Sequence, residues 1–359
     1  MARTRVLVVD DSATVRDRLS SVLTADPDLD LVGEAHDGRQ AIDLCQALRP
    51  DVVTMDMMLP VMSGLAATEY IMAHCPTPIL VVSSSFNRGE VFKTYDALAA
   101  GAVDVLEKPS GEEPEGDWER RFLSTLKLVS RIRVITHPRA RLKSYNTGVA
   151  PGTAATAAAR IEPRGEIRVA AIGASTGGPS AVVDVIRALP REFTTPILLL
   201  IHLNPLFGFA FAEWLDAQTE RRTAFGTEGE VVAAAAGRII MAPPDRHMIV
   251  RDGRIHLHDG PERFSCRPSV DVLFESVAAD YGSGAAACLL TGMGRDGASG
   301  LLAIRRAGGV TIAQDEATSV VYGMPREAAQ LGAAMRILPL PEIGPALGAV
   351  GRPNGKATP

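Results

Sequence analysis

A serine in a glycine-rich turn is the first residue of this sequence whose surroundings suit chemistry. Ser175 lies in the turn GASTGG at 173–178, after the apolar run 169–172 and before apolar residues at helical spacing. The pattern predicts a buried strand, a tight turn and a helix, whose N-terminus could stabilise an oxyanion beside the hydroxyl. The turn also fits the G-x-S-x-G pattern of nucleophile elbows. Without a base in reach, a phosphate-binding turn or a plain strand-to-helix connection explains it better.

Two further apolar strands end in residues that could complete an acid–base set. PILLLIHL at 196–203 carries His202, and AAACLLTG at 285–292 precedes a loop that contains Asp296. Loops at the C-terminal ends of parallel strands converge on one crevice, so Ser175, His202 and Asp296 are predicted to meet there. An imidazole can take the serine proton, and a carboxylate can fix the tautomer of that imidazole.

A second group of polar residues lies at strand ends in the first third of the chain. Asp10, Asp11 and Asp56 end two predicted strands at the same edge. Clustered carboxylates repel each other, and a hard divalent cation such as Mg²⁺ relieves that repulsion. A solvated strand end or a helix cap would explain any single aspartate. Ser83 ends one further predicted strand and Lys108 follows another, which adds a hydroxyl and an ammonium to the predicted crevice.

Strand and helix patterns alternate in both halves of the chain. The first half contains five predicted strands, at 5–10, 31–35, 51–56, 79–83 and 103–107. In the second half the alternation continues, with a hairpin turn at 251–254 and a helix at 269–281. We therefore predict an α/β protein with two doubly wound domains.

Composition sets the predicted domain boundaries. The 359 residues are 46% hydrophobic, which is ample for two cores. Residues 136–165 are rich in Ala, Thr, Gly and Pro and carry five basic residues against one acidic. This composition is typical of a tether. We predict a first domain at 4–125, the end of a connecting helix and a flexible linker at 126–165, and a second domain at 166–355.

Charge and cysteine usage argue against several classes of protein. A formal charge of −5 argues against a general nucleic-acid binder, and the large, nearly neutral second half does not suit a DNA-binding helix-turn-helix. The four cysteines form no C-x-x-C pair, so we interpret them as reduced core residues rather than a disulfide or zinc framework. With no signal-peptide pattern and no apolar run that could span a bilayer, we expect a cytoplasmic protein without membrane insertion.

The second half contains four motifs, in the order GASTGGP, APPDRHM at 242–248, RPSVD at 267–271 and LLTGMGRDGA at 289–298. In these motifs and their order it resembles the CheB family of chemotaxis receptor methylesterases. The resemblance implies a parallel-sheet serine hydrolase with Ser175, His202 and Asp296 as its triad. It further implies that the backbone N–H groups of Thr176 and Met293 hold the oxyanion.

The same resemblance implies a substrate and leaves alternatives open. The implied reaction is demethylation of glutamate methyl esters on chemoreceptor signalling domains, with deamidation of receptor glutamines and no hydrolase cofactor. The chain departs from the family near the base, because Ile201-His202-Leu203-Asn204-Pro205 replaces the usual Gln-His-Met-Pro. A catalytically altered interaction module, or an esterase of another chemosensory-like pathway, remains an alternative.

The first third resembles the receiver domain of response regulators, which is a flavodoxin-like fold. The resemblance implies that Asp56 accepts a phosphoryl group from a histidine kinase. It also implies that Mg²⁺ is bound by Asp10, Asp11, Asp56 and the Met58 carbonyl. Ser83 and Lys108 are implied to contact the phosphoryl group. Val105 stands where many receivers carry an aromatic residue that moves on phosphorylation. The switch is therefore expected to use Ser83 and its helix, or repacking against the other domain.

Overall fold

The structure, a computed structural model, describes residues 3–84, 88–109, 114, 116–132, 134, 165–203 and 205–351. The chain divides into two compact units, Met1–Pro151 and Gly152–Pro359. Most of the predicted linker at 126–165 lies outside the described residues. The predicted boundaries at 125 and 166 stay predictions.

The first unit is a parallel five-stranded sheet with helices between its strands. Its strand order is β2-β1-β3-β4-β5, the flavodoxin-like doubly wound order that was predicted. The elements are β1 Thr4–Val9, α1 Ala13–Ala25, β2 Leu29–Ala35, α2 Gly38–Leu48, β3 Val52–Met55, α3 Gly64–His74, β4 Ile79–Ser83, α4 Arg88–Ala99, β5 Asp104–Glu107 and α5 Asp117–Val129. Ser12, Asp37 and Ser63 cap the first three helices, each accepting a backbone N–H three residues on.

The second unit is a parallel seven-stranded sheet of order β14-β13-β12-β6-β7-β9-β8, with a separate hairpin β10-β11. Central strands β6, β7 and β12 are completely buried, as the apolar runs predicted. The elements are β6 Val169–Ala174, α6 Gly178–Ala188, β7 Ile197–Ile201, α7 Pro205–Gln218, β8 Thr223–Phe225, β9 Ile239–Met241, β10 His247–Arg251, β11 Arg254–His258, α8 Val270–Tyr281, β12 Ala285–Leu289, α9 Ala298–Arg306, β13 Val310–Gln314, α10 Met324–Gln330, β14 Arg336–Leu338 and α11 Leu340–Val350.

The sequence patterns predicted the hairpin but not every strand of this sheet. Asp252 and Gly253 both have positive φ, as a two-residue hairpin turn requires, and both donate their N–H groups to Asp280. Strands β8 and β9 were missed because each has only three residues, too few for a periodic pattern. Their pairing depends on neighbours that are distant in sequence.

The helices are short relative to a lipid bilayer. The longest described helix, α7, has 14 residues, whereas about 20 apolar residues are needed to cross the hydrocarbon core. Within the described ranges, no helix is long and apolar enough to span a membrane.

Candidate active site

Ser175 and His202 follow two neighbouring strands of the second sheet. Ala174 of β6 pairs with Ile201 of β7, so Ser175 and His202 are the next residues on strands about 4.8 Å apart. The N–H of His202 donates to the carbonyl of Ala174 at 3.0 Å, which fixes that register. Among the described residues, the Ser175 hydroxyl has no hydrogen-bond partner, so proton transfer requires its rotation towards the ring.

Asp296 reaches the same edge from the loop after β12 and orients the imidazole. Its Oδ2 lies 2.9 Å from Nε2 of His202 and accepts the N–H of Val270 at 2.7 Å. Its Oδ1 accepts the Ser269 hydroxyl at 2.7 Å and the N–H of Asp271 at 3.1 Å. Burial raises the pKa of Asp296, but the bonds from His202, Ser269 and the backbone outweigh burial and lower it. The carboxylate is therefore held ionised at the N-terminus of α8.

His202 is strongly basic in this setting. Burial lowers its pKa, while the hydrogen bonds to Asp296 and Cys266 raise it to about 9. Because Nε2 faces Asp296, the nitrogen left for proton transfer is Nδ1. Sequence reasoning missed Cys266, which lies with its Sγ 3.8 Å from that Nδ1. Cys266 is half-buried, so the interpretation of every cysteine as a core residue was wrong at this position.

Thr291 connects the serine turn to the loop after β12. Its carbonyl accepts the N–H of Ser175 at 3.0 Å, and its hydroxyl donates to the carbonyl of Thr176 at 2.9 Å. Met293 follows at the mouth of the site, with 58% of its surface exposed. In the part of the chain that the structure describes, nothing accepts a hydrogen bond from the Met293 amide. That N–H can therefore serve an oxyanion.

Gly292 is required by the close approach of two loops. A Cβ at this position would lie 2.7 Å from the Cβ of Ser175 and would also overlap the sulfur of Met324. We expect Gly292→Ala to lower the free energy of unfolding by about 1–3 kcal/mol through overpacking.

Urea unfolding measures this loss, and Gly165→Ala is the matched control. A Cβ at Gly165 would meet only the flexible Ser283 side chain. Equal unfolding midpoints for both variants would show that the two loops are not tightly packed.

His247 supports the site without entering it. It is 1% exposed, its Nδ1 accepts the N–H of Ser269, and its Nε2 donates to the carbonyl of Pro261. It therefore has a structural role beside the site. The motif RPSVD contains Ser269 and Val270, yet sequence reasoning assigned neither residue its contact with Asp296.

Asp271 is a buried carboxylate beneath Asp296 and predicts a pH dependence of stability. It is fully buried, accepts the N–H of Gly300 at 2.6 Å, and burial raises its pKa to about 6. The pKa of Asp271 is higher in the folded protein than in the unfolded chain, where it is near 3.8. The stabilisation that the protonated carboxyl gives to the folded protein is therefore complete below the unfolded pKa, and it is lost as pH rises through 6. The loss corresponds to about 3 kcal/mol.

Asp271→Asn removes this titration. As pH rises from 4 to 6, the free energy of unfolding of the wild type should fall relative to that of the variant. Chemical denaturation at several pH values measures this change. A difference that stays constant over that range would contradict the assignment.

The first sheet gathers the acidic residues as predicted. Carboxylate oxygens of Asp10, Asp11 and Asp56 lie within 4.8 Å of one another. Nζ of Lys108 lies 2.8 Å from Oδ2 of Asp10 and 3.0 Å from Oδ2 of Asp56. Burial raises the pKa of Asp10, although Lys108 partly opposes this effect. Three close carboxylates with all-oxygen donors fit a hard cation such as Mg²⁺.

Ser83 adjoins the same cluster. It is buried at the end of β4, and its carbonyl accepts the N–H of Lys108 at 3.0 Å. Met58 lies two residues after Asp56, with its sulfur 3.4 Å from Nζ of Lys93. The structure thus brings together Asp10, Asp11, Asp56, Ser83 and Lys108, while the role of the Met58 carbonyl stays a prediction.

Comparisons with known proteins identify the two domains that contain these sites. Family models for a response regulator receiver domain and for CheB methylesterase match residues 6–114 and 170–347. A protein-glutamate methylesterase/protein-glutamine glutaminase 2 of Anaeromyxobacter dehalogenans is 42% identical over 343 residues, covering 96% of each chain. A protein-glutamate methylesterase/protein-glutamine glutaminase of Nitrosospira multiformis is 41% identical and covers 95% of each chain.

Among solved structures, the CheB methylesterase catalytic domain of Thermotoga maritima is 34% identical, with a TM-score of 0.48. It matches 51% of this chain and 97% of its own. The sequence relatives extend over nearly the whole chain and confirm the resemblance that the motifs indicated. The chain belongs to the CheB methylesterase family and carries a response regulator receiver domain before its methylesterase domain.

Proposed function

We propose that this protein is a phosphorylation-activated methylesterase that hydrolyses glutamate methyl esters on chemoreceptor signalling domains. Deamidation of receptor glutamines by the same site is part of the proposal. Two of its relatives carry both activities in their names. The observation that carries the proposal is the His202–Asp296 hydrogen bond at 2.9 Å, directly beside Ser175 on the neighbouring strand.

Acylation begins at the serine. The Oγ of Ser175 attacks the ester carbonyl carbon, and its proton passes to Nδ1 of His202, because Nε2 is engaged by Asp296. Asp296 stabilises the imidazolium that forms, without taking the proton itself. This carboxylate is buried and accepts four hydrogen bonds, which keeps the imidazole ring of His202 in one orientation.

The remaining steps use the backbone and the same imidazole. The N–H groups of Thr176 and Met293 hold the tetrahedral oxyanion. His202 then protonates the departing methoxide, so methanol leaves and an acyl-Ser175 ester remains. A water molecule, deprotonated by His202, hydrolyses that ester to free glutamate. Glutamine follows the same course and releases ammonia.

The receiver domain supplies the regulation. Asp56 accepts a phosphoryl group from a histidine kinase, while Lys108 and Ser83 contact the phosphoryl oxygens. Asp10, Asp11, Asp56 and the Met58 carbonyl would hold Mg²⁺, which when bound neutralises charge on the phosphoryl group. The Lys108 contacts to Asp10 and Asp56 support this arrangement.

Methanol release from methylated receptor tests the function and its regulation together. With a small-molecule phosphodonor and Mg²⁺, we expect the wild-type rate to rise about tenfold, equivalent to about 1.4 kcal/mol of population shift. Asp56→Asn should abolish the rise, because the acceptor carboxylate is lost.

Asp43→Asn is the matched control, since Asp43 is an exposed aspartate of α2. It should respond to the phosphodonor like the wild type. An unchanged response in Asp56→Asn would contradict the role of Asp56, and no methanol release under any condition would contradict the hydrolase.

A further inference from the structure

A thiol, an imidazole and a carboxylate form one cluster in the second unit, the Cys266–His202–Asp296 cluster. Sγ of Cys266 lies 3.8 Å from Nδ1 of His202, and the opposite ring nitrogen lies 2.9 Å from Oδ2 of Asp296. One ligand atom from each residue lies within 4.8 Å of the others. A thiolate sulfur and an imidazole nitrogen at such spacing are donors that bind Zn²⁺ in proteins.

Asp296 acts on this cluster through the ring. Its two oxygens already accept bonds from His202, Ser269, Val270 and Asp271, so it is not available as a direct ligand. Its bond to Nε2 places the free lone pair of His202 on Nδ1. A carboxylate on one imidazole nitrogen and a metal on the other is the usual arrangement around zinc.

The positions of Cys266 and His202 suit a tetrahedral ion. With Zn–N of about 2.0–2.1 Å and Zn–S of about 2.3 Å, a tetrahedral site separates nitrogen and sulfur by roughly 3.5 Å. The observed 3.8 Å is within a few tenths of this value. The cysteine is also held in place, since Cys266 and Arg263 exchange two backbone hydrogen bonds and Arg263 pairs with Glu275 at 2.6 Å.

A cavity beside the cluster leaves room for the ligands that would fill the remaining coordination positions of the ion. Cys266 and Asp296 line a cavity of about 590 Å³ together with Met293, Arg295 and Tyr322. Water or a substrate oxygen can therefore complete the coordination. We infer that the Cys266–His202–Asp296 cluster binds Zn²⁺, with Cys266 and His202 as ligands, and that the bound ion inhibits the hydrolase. The inhibition rests on the proposed function, because a coordinated Nδ1 cannot accept the Ser175 proton.

This cation site differs chemically from the one in the first unit. Asp10, Asp11 and Asp56 offer only hard oxygen donors, which suit Mg²⁺. A thiolate and an imidazole favour softer ions such as Zn²⁺ and Co²⁺. The two sites can therefore be titrated separately in the full-length protein.

Binding is tested with Co²⁺ on metal-free, full-length protein, because a thiolate ligand gives Co²⁺ an intense charge-transfer absorption in the near ultraviolet. The band should appear in the wild type and be lost in Cys266→Ser. Asp296→Asn should weaken binding by about 10- to 100-fold. The double variant Asp10→Asn/Asp11→Asn is the control and should keep the band. No band in the wild type, or an equal band in Cys266→Ser, would overturn the inference.

Inhibition is tested by titrating Zn²⁺ into the methanol-release assay, with each protein compared with its own metal-free rate. Half-inhibition of Cys266→Ser should require a Zn²⁺ concentration at least about tenfold higher than half-inhibition of the wild type. A chelator should restore the rate of the Zn²⁺-inhibited wild type. Equal sensitivity of both proteins would overturn the inhibitory role. A wild type that shows the Co²⁺ band but releases no methanol without metal would support the metal site and contradict the hydrolase assignment.

Discussion

Replacing Ser175 with alanine is expected to lower kcat for methanol release by about 10⁵- to 10⁶-fold, the scale seen when a catalytic serine is removed. Only the hydroxyl is lost. The backbone bonds of Ser175, its N–H to Thr291 and its carbonyl to the N–H of Gly178, remain in the variant. The unfolding midpoint and the circular dichroism spectrum should therefore match those of the wild type.

Ser283→Ala is the matched control for this experiment. Ser283 lies just before β12, at the opposite edge of the same sheet, and the same atom is removed there. Its methanol-release rate should stay within about twofold of the wild type, as for an ordinary surface substitution. If Ser175→Ala retained more than about 1% of the wild-type kcat, the nucleophile would be another residue.

Asp296→Asn is expected to reduce kcat by about 10⁴-fold, since an amide no longer stabilises the imidazolium or selects the tautomer with Nδ1 free. The variant should also be less stable. Asp296 accepts four hydrogen bonds in a buried position, and an NH₂ group in place of one oxygen leaves donors facing donors. The expected loss in unfolding free energy is about 1–3 kcal/mol.

A half-buried aspartate in the last turn of helix α8 separates the two effects. Asp280 accepts the N–H groups of Asp252 and Gly253 at the hairpin turn, far from His202 in the fold. Asp280→Asn should lower stability and leave kcat unchanged. If Asp296→Asn lost stability and kept the wild-type kcat, Asp296 would be only a cap for helix α8. Rapid-mixing measurements of the acylation step and urea unfolding distinguish these cases.

The sequence by itself determined most of the architecture and the candidates for the reacting side chains. Completely buried parallel strands are continuous apolar runs, so β6, β7 and β12 were visible as patterns, with Ser175, His202 and Asp296 after their ends. The Asp252-Gly253 turn was equally clear, because two successive residues with positive φ favour these residue types.

Only the tertiary structure decided how those side chains are held. The bond from His202 to Asp296 joins residues 94 positions apart, and the approach of Cys266 to His202 joins residues 64 apart. The choice of Nε2 rather than Nδ1 for Asp296 follows from packing against the N-terminus of α8. No local propensity encodes such contacts, since they depend on how separate strands, loops and helices pack at one edge of the sheet. That packing turns Nδ1 of His202 away from Asp296 and places the thiol of Cys266 beside it.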